Sequence, residues 1–289
     1  MDDRVLRFAP MMRFSSQETH YPIDPSLFVT RSRLLRMGWS PLVGDGYWNS
    51  AARAWDLTGP ASPPPSGALN PQLSHACAAM QAEAPSAPGA RRNRRPNDPA
   101  NLWGGSRSGY ALELTQAFAR DLRGVPGSAP FLMYDRYQRE GPSGRWDVIT
   151  YWFFYALNPH VIAHEGDWEP VTVVVDEAGH AALRVDCHGS TRLQSFETLE
   201  IADQTHPVIY VEPGSHRACS EPLDAGLNGV PASVTLRTWR NTPTPVQHMP
   251  WSCYDGAWGR VGATELTTGP LGPLFRRMAD AAVPVALAG

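Results

Sequence analysis

A chain of 289 residues with 25 basic and 28 acidic side chains carries a formal net charge of -3, so nothing draws it toward nucleic acid or an anionic membrane. All 25 basic residues are arginine. Without lysine, a lysine Schiff base, a lysine general base and a phosphate-loop lysine are excluded.

The opening MDDRVLRFAPMMRF lacks the uninterrupted apolar stretch of a secretory signal. No apolar run reaches the roughly 18 residues that cross a bilayer, so stable membrane insertion is not expected. Cys77, Cys187, Cys219 and Cys253 lie far apart with no CxxC pair. That spacing argues against a zinc ribbon and leads to an expectation of free thiols in a cytoplasmic protein.

In chain order, residues 57–71 are rich in proline and small residues and read as a loop. PQLSHACAAMQAEA, residues 71–84, reads as a short helix. Residues 86–101 form a second loop with Arg91, Arg92, Arg94 and Arg95, a solvated arginine cluster without interleaved aromatics. Residues 106–124 predict a longer helix, with Ser106 as cap, an apolar stripe of Tyr110, Leu114, Phe118 and Leu122, and Gly124 as terminator. From about Phe131 the pattern changes to strands: WDVITYWFFYALN, DWEPVTVVVD, HAALRVDCH, HPVIYVEPG and ASVTLRTWR, with turn signals between them. The segment from Gly269 predicts proline turns and a closing helix.

The predicted architecture is mainly β: one antiparallel β-sandwich domain over residues 1–289, with a Pro/Arg-rich, partly helical insertion at about 43–127 and a C-terminal helix.

The chemistry concentrates in HEGDWEPVTVVVD, where His164, Glu165, Asp167 and Glu169 precede a buried-looking strand. Alternation puts Asp167 and Glu169 on one side, with Glu165 if the strand reaches back that far, and Trp168 on the other. Two carboxylates at i and i+2 repel, so a cation, an arginine such as Arg184 or Arg237, or a shared proton must lie between them. A hard cation such as Mg²⁺, Ca²⁺ or Mn²⁺ suits oxygen donors. A transition metal becomes possible if His164 joins them. Without metal, the acids suit acid/base work. The EPGSH turn places His216 at a sheet end as a further candidate, while His206, Tyr210 and Glu212 share parity along their strand. Tyr155, Trp168 and Trp258, with His206 and Tyr210, are candidate walls of a small-molecule pocket.

Several ordered motifs resemble the vacuolar protein sorting-associated protein 62 family: YWFFYALN…HEGDWEPVTVVV, HPVIYVEPGSH and YDGAWGRVG…TTGPLGP, together with the opening LRFAPMMRFSSQETHYPIDPSLFV. More distantly, AHEGDWE resembles the GHRHDWE heptapeptide of the necrosis- and ethylene-inducing-peptide-like proteins, which are β-sandwiches with a divalent-metal site. That likeness implies His164, Asp167 and Glu169 as metal ligands, with Gly166 and Glu165 replacing a histidine and an arginine, and Asn158 standing where those proteins use an aspartate. Those relatives are secreted cytolysins, and their membrane attack is not carried over to this chain.

Taken together, these features lead to an expected metal-assisted or acid/base enzyme acting on a small molecule, a hydrolase, lyase or cyclase of bacterial specialised metabolism. His164, Glu165, Asp167, Glu169 and His216 would carry the chemistry, and Mg²⁺, Ca²⁺ or Mn²⁺ is favoured over Zn²⁺. The alternative is a lectin-like or lipid-headgroup binding module that holds a glycan-like ligand through the cation without catalysis. In a third reading the same groups pin the sheets and do nothing else.

Overall fold

The computed structural model describes residues 3–36, 38–39, 48–49, 110–114, 121–141, 144–187, 190–222, 232–252, 254, 256–260 and 269–275. Two short helices, α1 (Asp3–Arg7) and α2 (Pro25–Arg31), accompany a fold made mostly of strands. In chain order the strands are β1 (Met11–Ser15), β2 (Ser32–Arg36), β3 (Gly38–Trp39), β4 (Trp48–Asn49), β5 (Tyr110–Leu114), β6 (Leu132–Gly141), β7 (Gly144–Asn158) and β8 (His164–Val175). They continue as β9 (Ala181–Cys187), β10 (Ser190–Ser195), β11 (Ile201–Ala202), β12 (His206–Val211), β13 (Ala218–Cys219), β14 (Ala232–Arg237), β15 (Pro243–Pro245) and β16 (Ala257–Trp258).

The central layer is a sheet in the order β10-β9-β8-β7-β6-β15. Its core strands β7 and β8 are β-branched and aromatic on both faces, which is the composition of a strand buried on two sides. On one face, Ile149, Tyr151, Phe153, Val171, Val173 and Leu183 pack against Met12, Phe14, Ile209, Val211 and Leu236 from the sheet β11-β12-β1-β14. The two sheets enclose the main core, as a sandwich requires. On the other face, Trp152, Phe154 and Trp168 meet Phe28 of α2, Leu112 and Leu114 of β5, and Trp258 of β16. The third layer there is the small sheet β16-β5-β2.

The mainly-β prediction holds, and the five expected strands end within a few residues of β7, β8, β9, β12 and β14. Pairing is not purely antiparallel: β1 with β12, β15 with β6 and β16 with β5 run parallel.

The helix expected over residues 106–124 is corrected, because Tyr110–Leu114 is strand β5, paired with β2 and β16. Ala111, Leu112 and Leu114 are all buried, so both faces of the segment are covered and its stripe at helical spacing misleads. Ser106, the helix expected over residues 71–84 and Arg91–Arg95 lie outside the described residues, as does most of the expected insertion. The chain after Phe275, where the closing helix was expected, lies outside them too.

The free-thiol expectation is also corrected. Cys187, at the end of β9, and Cys219, in β13, form a disulfide across a sequence separation of 32. No local spacing announces such a bridge, because only the stacking of sheets brings the two strands together.

Candidate functional site

Parallel pairing of β1 with β12 sets the first half of the site. Met11 to Phe14 run alongside Val208 to Val211, so both chains leave the sheet at the same end. Residues 15–20 then turn beside residues 212–216. Glu18 folds back on its own turn: its Oε1 accepts from the backbone N–H of Thr19 and of His20, both at 2.8 Å. Its Oε2 accepts from Gly214 N–H at 3.0 Å, joining the two turns.

The β7–β8 ladder supplies the second half. Tyr155 pairs with Asp167 and Asn158 with His164, which sets Tyr155, Asn158 and Asp167 at the same end. Alternation sends Asp167 toward the sandwich and Trp168 into the opposite aromatic cluster, as the strand period requires.

His216 joins the halves. Its φ of 59° is a left-handed conformation uncommon for a residue with a Cβ, held by His216 N–H donating to Glu212 C=O at 2.9 Å. The side chain is fully buried. Its Nδ1–H donates to Asp167 Oδ2 at 2.9 Å, and Asn158 Nδ2 donates to the same oxygen at 3.1 Å. Its Nε2 faces Glu18 Oε1 at 3.6 Å, an ion-pair distance but too long for a hydrogen bond. The Tyr155 ring lies flat on the imidazole, with centroids 3.9 Å apart and planes within 1°. His20, its Nδ1 2.9 Å from Thr19 Oγ1, sets a second imidazole 6.3 Å from the first.

Glu18, His20 and His216 each offer a ligand atom, and these atoms lie within 4.8 Å of one another. All three residues are buried, and together they form a group able to hold a metal ion. Two polar atoms here have no hydrogen-bond partner among the described residues: His216 Nε2 and the Tyr155 hydroxyl, both on fully buried side chains. A buried donor or acceptor left unsatisfied costs roughly 1–3 kcal/mol, which favours a ligand at this point.

The electrostatics agree with that geometry. Burial works to lower the His216 pKa, yet Asp167 and Glu18 beside it outweigh burial and raise it. Burial works to raise Glu18, but His216 and the N–H groups of His20 and Gly214 outweigh it, and its carboxyl sits below the usual range. His20 is pushed down to about 4 by burial and by His216, so its imidazole is neutral near pH 7. Tyr155 is raised well above its ordinary value by burial and by Glu18, Glu169 and Asp167, and stays a neutral phenol.

Of the residues singled out in the sequence, Asn158, Tyr155, Asp167 and His216 come together. Glu169 is half-buried on the Tyr155 side of β8, where its charge bears on that phenol. His164 does not join: its Nδ1–H donates to Gly166 C=O at 2.9 Å. Glu165 does not join either. Gly166 has a φ of 63°, which breaks the alternation and turns Glu165 to the opposite face. There its Oε2 accepts from Leu114 N–H at 2.9 Å and Arg260 N–H at 3.0 Å, pinning β5 and the end of β16 to β8. Burial, with Glu113 adding to it, outweighs these hydrogen bonds and raises the Glu165 pKa. A Cβ on Gly166 would stand 1.8 Å from Trp258 C=O, so this crossing of β8 and β16 admits only glycine.

The expected pocket walls disperse for similar reasons. Trp168 and Trp258 pack together in the aromatic cluster on the far face. His206 stacks on Trp239 at 3.6 Å and donates from Nδ1 to Ala9 C=O. Tyr210 donates to Glu200 and accepts from Arg13.

Glu18 and His20 went unnoticed in the sequence. Both lay inside the opening stretch that carried the family resemblance, which was the one available signal for either. No family model, curated protein or solved structure matches the chain.

Proposed function

We propose that this is a metal-binding protein in which Glu18, His20 and His216 take one divalent ion, and that the ion serves chemistry on a small molecule. The observation that carries the proposal is the convergence of three buried donor atoms within 4.8 Å, with His216 Nε2 lacking a hydrogen-bond partner among them. Two imidazoles and one carboxylate suit Zn²⁺, Mn²⁺ or Fe²⁺ better than Mg²⁺ or Ca²⁺, which take oxygen donors. This moves the balance from the oxygen-rich site expected around His164, Asp167, Glu169 and Asn158 toward a borderline metal.

Glu18, His20 and His216 would hold the ion, which would supply polarisation of a substrate oxygen or activation of a water. The chain's own residues supply the rest. Tyr155, held as a neutral phenol, is a hydrogen-bond donor; Asp167 and Asn158 orient His216. The disulfide supports an oxidising compartment over the cytoplasmic one expected from free thiols. No helix among the described residues is long and apolar enough to cross a membrane.

Titration of the metal-stripped chain with Zn²⁺, Mn²⁺ and Fe²⁺ tests the reading. One ion per chain is expected to bind the wild type, with Glu18→Gln and His20→Ala each lowering affinity by at least about 100-fold. Absence of saturable binding to the folded wild type sinks it.

A second reading, a cation-dependent headgroup-binding module, is favoured by one feature. The loop after Asn158 exposes Val161 (90%) and Ile162 (41%), and its Pro159 packs on Gly214 of the His216 turn. Cosedimentation with anionic vesicles that requires the ion, with no turnover of small molecules, would select this reading.

A further inference from the structure

Asp167 was a candidate metal ligand by sequence, yet the metal-competent group forms without it. Its Oδ2 is already engaged by Asn158 Nδ2 and His216 Nδ1. A carboxylate oxygen only accepts, so the hydrogen on His216 resides on Nδ1 in the neutral ring, and the Nε2 lone pair is the one turned to Glu18. A lone pair facing a carboxylate oxygen repels it unless a proton or a metal cation stands between them.

The ring has almost no freedom to choose otherwise. Tyr155 covers one face in parallel contact, the backbone is held at φ 59°, and Asn158 Nδ2 also reaches Ser215 C=O at 3.3 Å. The adjoining residue is thereby fastened as well. A histidine kept only for packing needs both nitrogens satisfied. Here one is doubly secured through Asp167, and the other has no hydrogen-bond partner among the described residues.

We infer that Asp167 is a positioning carboxylate in a carboxylate–histidine–metal arrangement: it holds His216 as an Nε2 donor to the ion and strengthens that donor, while Asn158 holds Asp167. This rests on the metal reading above and assigns Asp167 a place behind the ligand. Carboxylates in that position orient the ring and raise its basicity, and their loss typically lowers metal affinity by about 10- to 100-fold.

Co²⁺ absorption of the full-length chain separates the possibilities. For Asp167→Asn, whose side-chain oxygen still accepts from Nδ1 but carries no charge, affinity is expected to fall by about 10- to 100-fold while the visible bands stay where the wild type has them. Asn158→Ala, which keeps the carboxylate but frees it, is expected to weaken binding by a smaller factor with the same bands, and it serves as the readout if Asp167→Asn fails to fold. Wild-type affinity in both variants overturns the inference. Bands shifted in Asp167→Asn as they are in Glu18→Gln would make Asp167 a direct ligand and overturn it equally. If the wild type itself shows no Co²⁺ bands and no saturable binding, the metal reading fails first and carries this inference with it.

Discussion

The β7–β8 ladder buries an aspartate near each end, Asp147 of β7 and Asp167 of β8, and the two are neutralised differently. At one end Asp147, 3% exposed, accepts from Arg136 Nε at 2.7 Å, from a second Arg136 nitrogen at 2.5 Å and from Arg4 at 3.2 Å. At the other end Asp167 meets an imidazole and an amide. Guanidinium groups are permanently charged, have no lone pair to offer and fit a carboxylate with two parallel hydrogen bonds, so the Asp147 end is complete in itself. An imidazole has two nitrogens, and satisfying one at Asp167 leaves the other for a proton or a metal. Equal burial thus produces an ion-pair clasp at one end and a candidate site at the other.

The sharpest way to break this comparison is to remove one clasp. Arg136→Leu is expected to destabilise the fold by about 3 kcal/mol, because it strips a buried carboxylate of its main partner. Urea unfolding should show the same loss with and without added Zn²⁺. A loss that metal repairs would mean the two ends are not independent.

Reducing the disulfide acts on the other end. Cys219 lies three residues beyond His216, and the bridge ties its short strand to β9. Cys187→Ser with Cys219→Ser is expected to cost roughly 3–4 kcal/mol of stability, from a closed loop of 32-residue separation. Hydrogen exchange should accelerate in residues 212–219 well before it does around Asp147. Uniform acceleration across β7 would show that the bridge secures the whole sandwich instead of the site.

The smallest expected effect is in pH dependence, because the site's groups oppose one another. His20 has its folded pKa depressed from 6.5 to about 4, so the unfolded chain takes up that proton first and stability falls as pH drops between those values. Glu18, also depressed, adds stability above the usual carboxylate pKa, and this is lost as pH falls through its folded value. His216, raised, works in the other sense: its contribution is complete below the ordinary imidazole value and is lost as pH rises through its folded value. His20→Gln should therefore flatten the urea midpoint between pH 6.5 and 4. An unchanged slope would show that His20 takes up its proton without cost in the fold.

Much of the candidate site was legible in HEGDWE and EPGSH, but their members played other parts. Asp167, Glu169 and Trp168 obey strand alternation, and their sides were predictable from it. Glu165 escapes the rule because Gly166 takes a positive φ, a choice imposed by the close passage of β16. His164 follows its own backbone. Glu18 and His20 stood nearly 150 residues from Asp167 in a stretch without periodicity, and only the parallel pairing of β1 with β12 carries them to the site.

Local composition by itself determined that this chain is mainly β, where β7, β8, β9, β12 and β14 run, and that a carboxylate and a histidine at strand ends needed a partner. Those properties follow from side-chain periodicity and turn chemistry, which act over a few residues. The tertiary structure decided which histidine meets which acid, that residues 110–114 extend, and that Cys187 and Cys219 join. Each depends on contacts between segments far apart in the chain, whose encounter is set by sheet stacking and which no short-range pattern encodes.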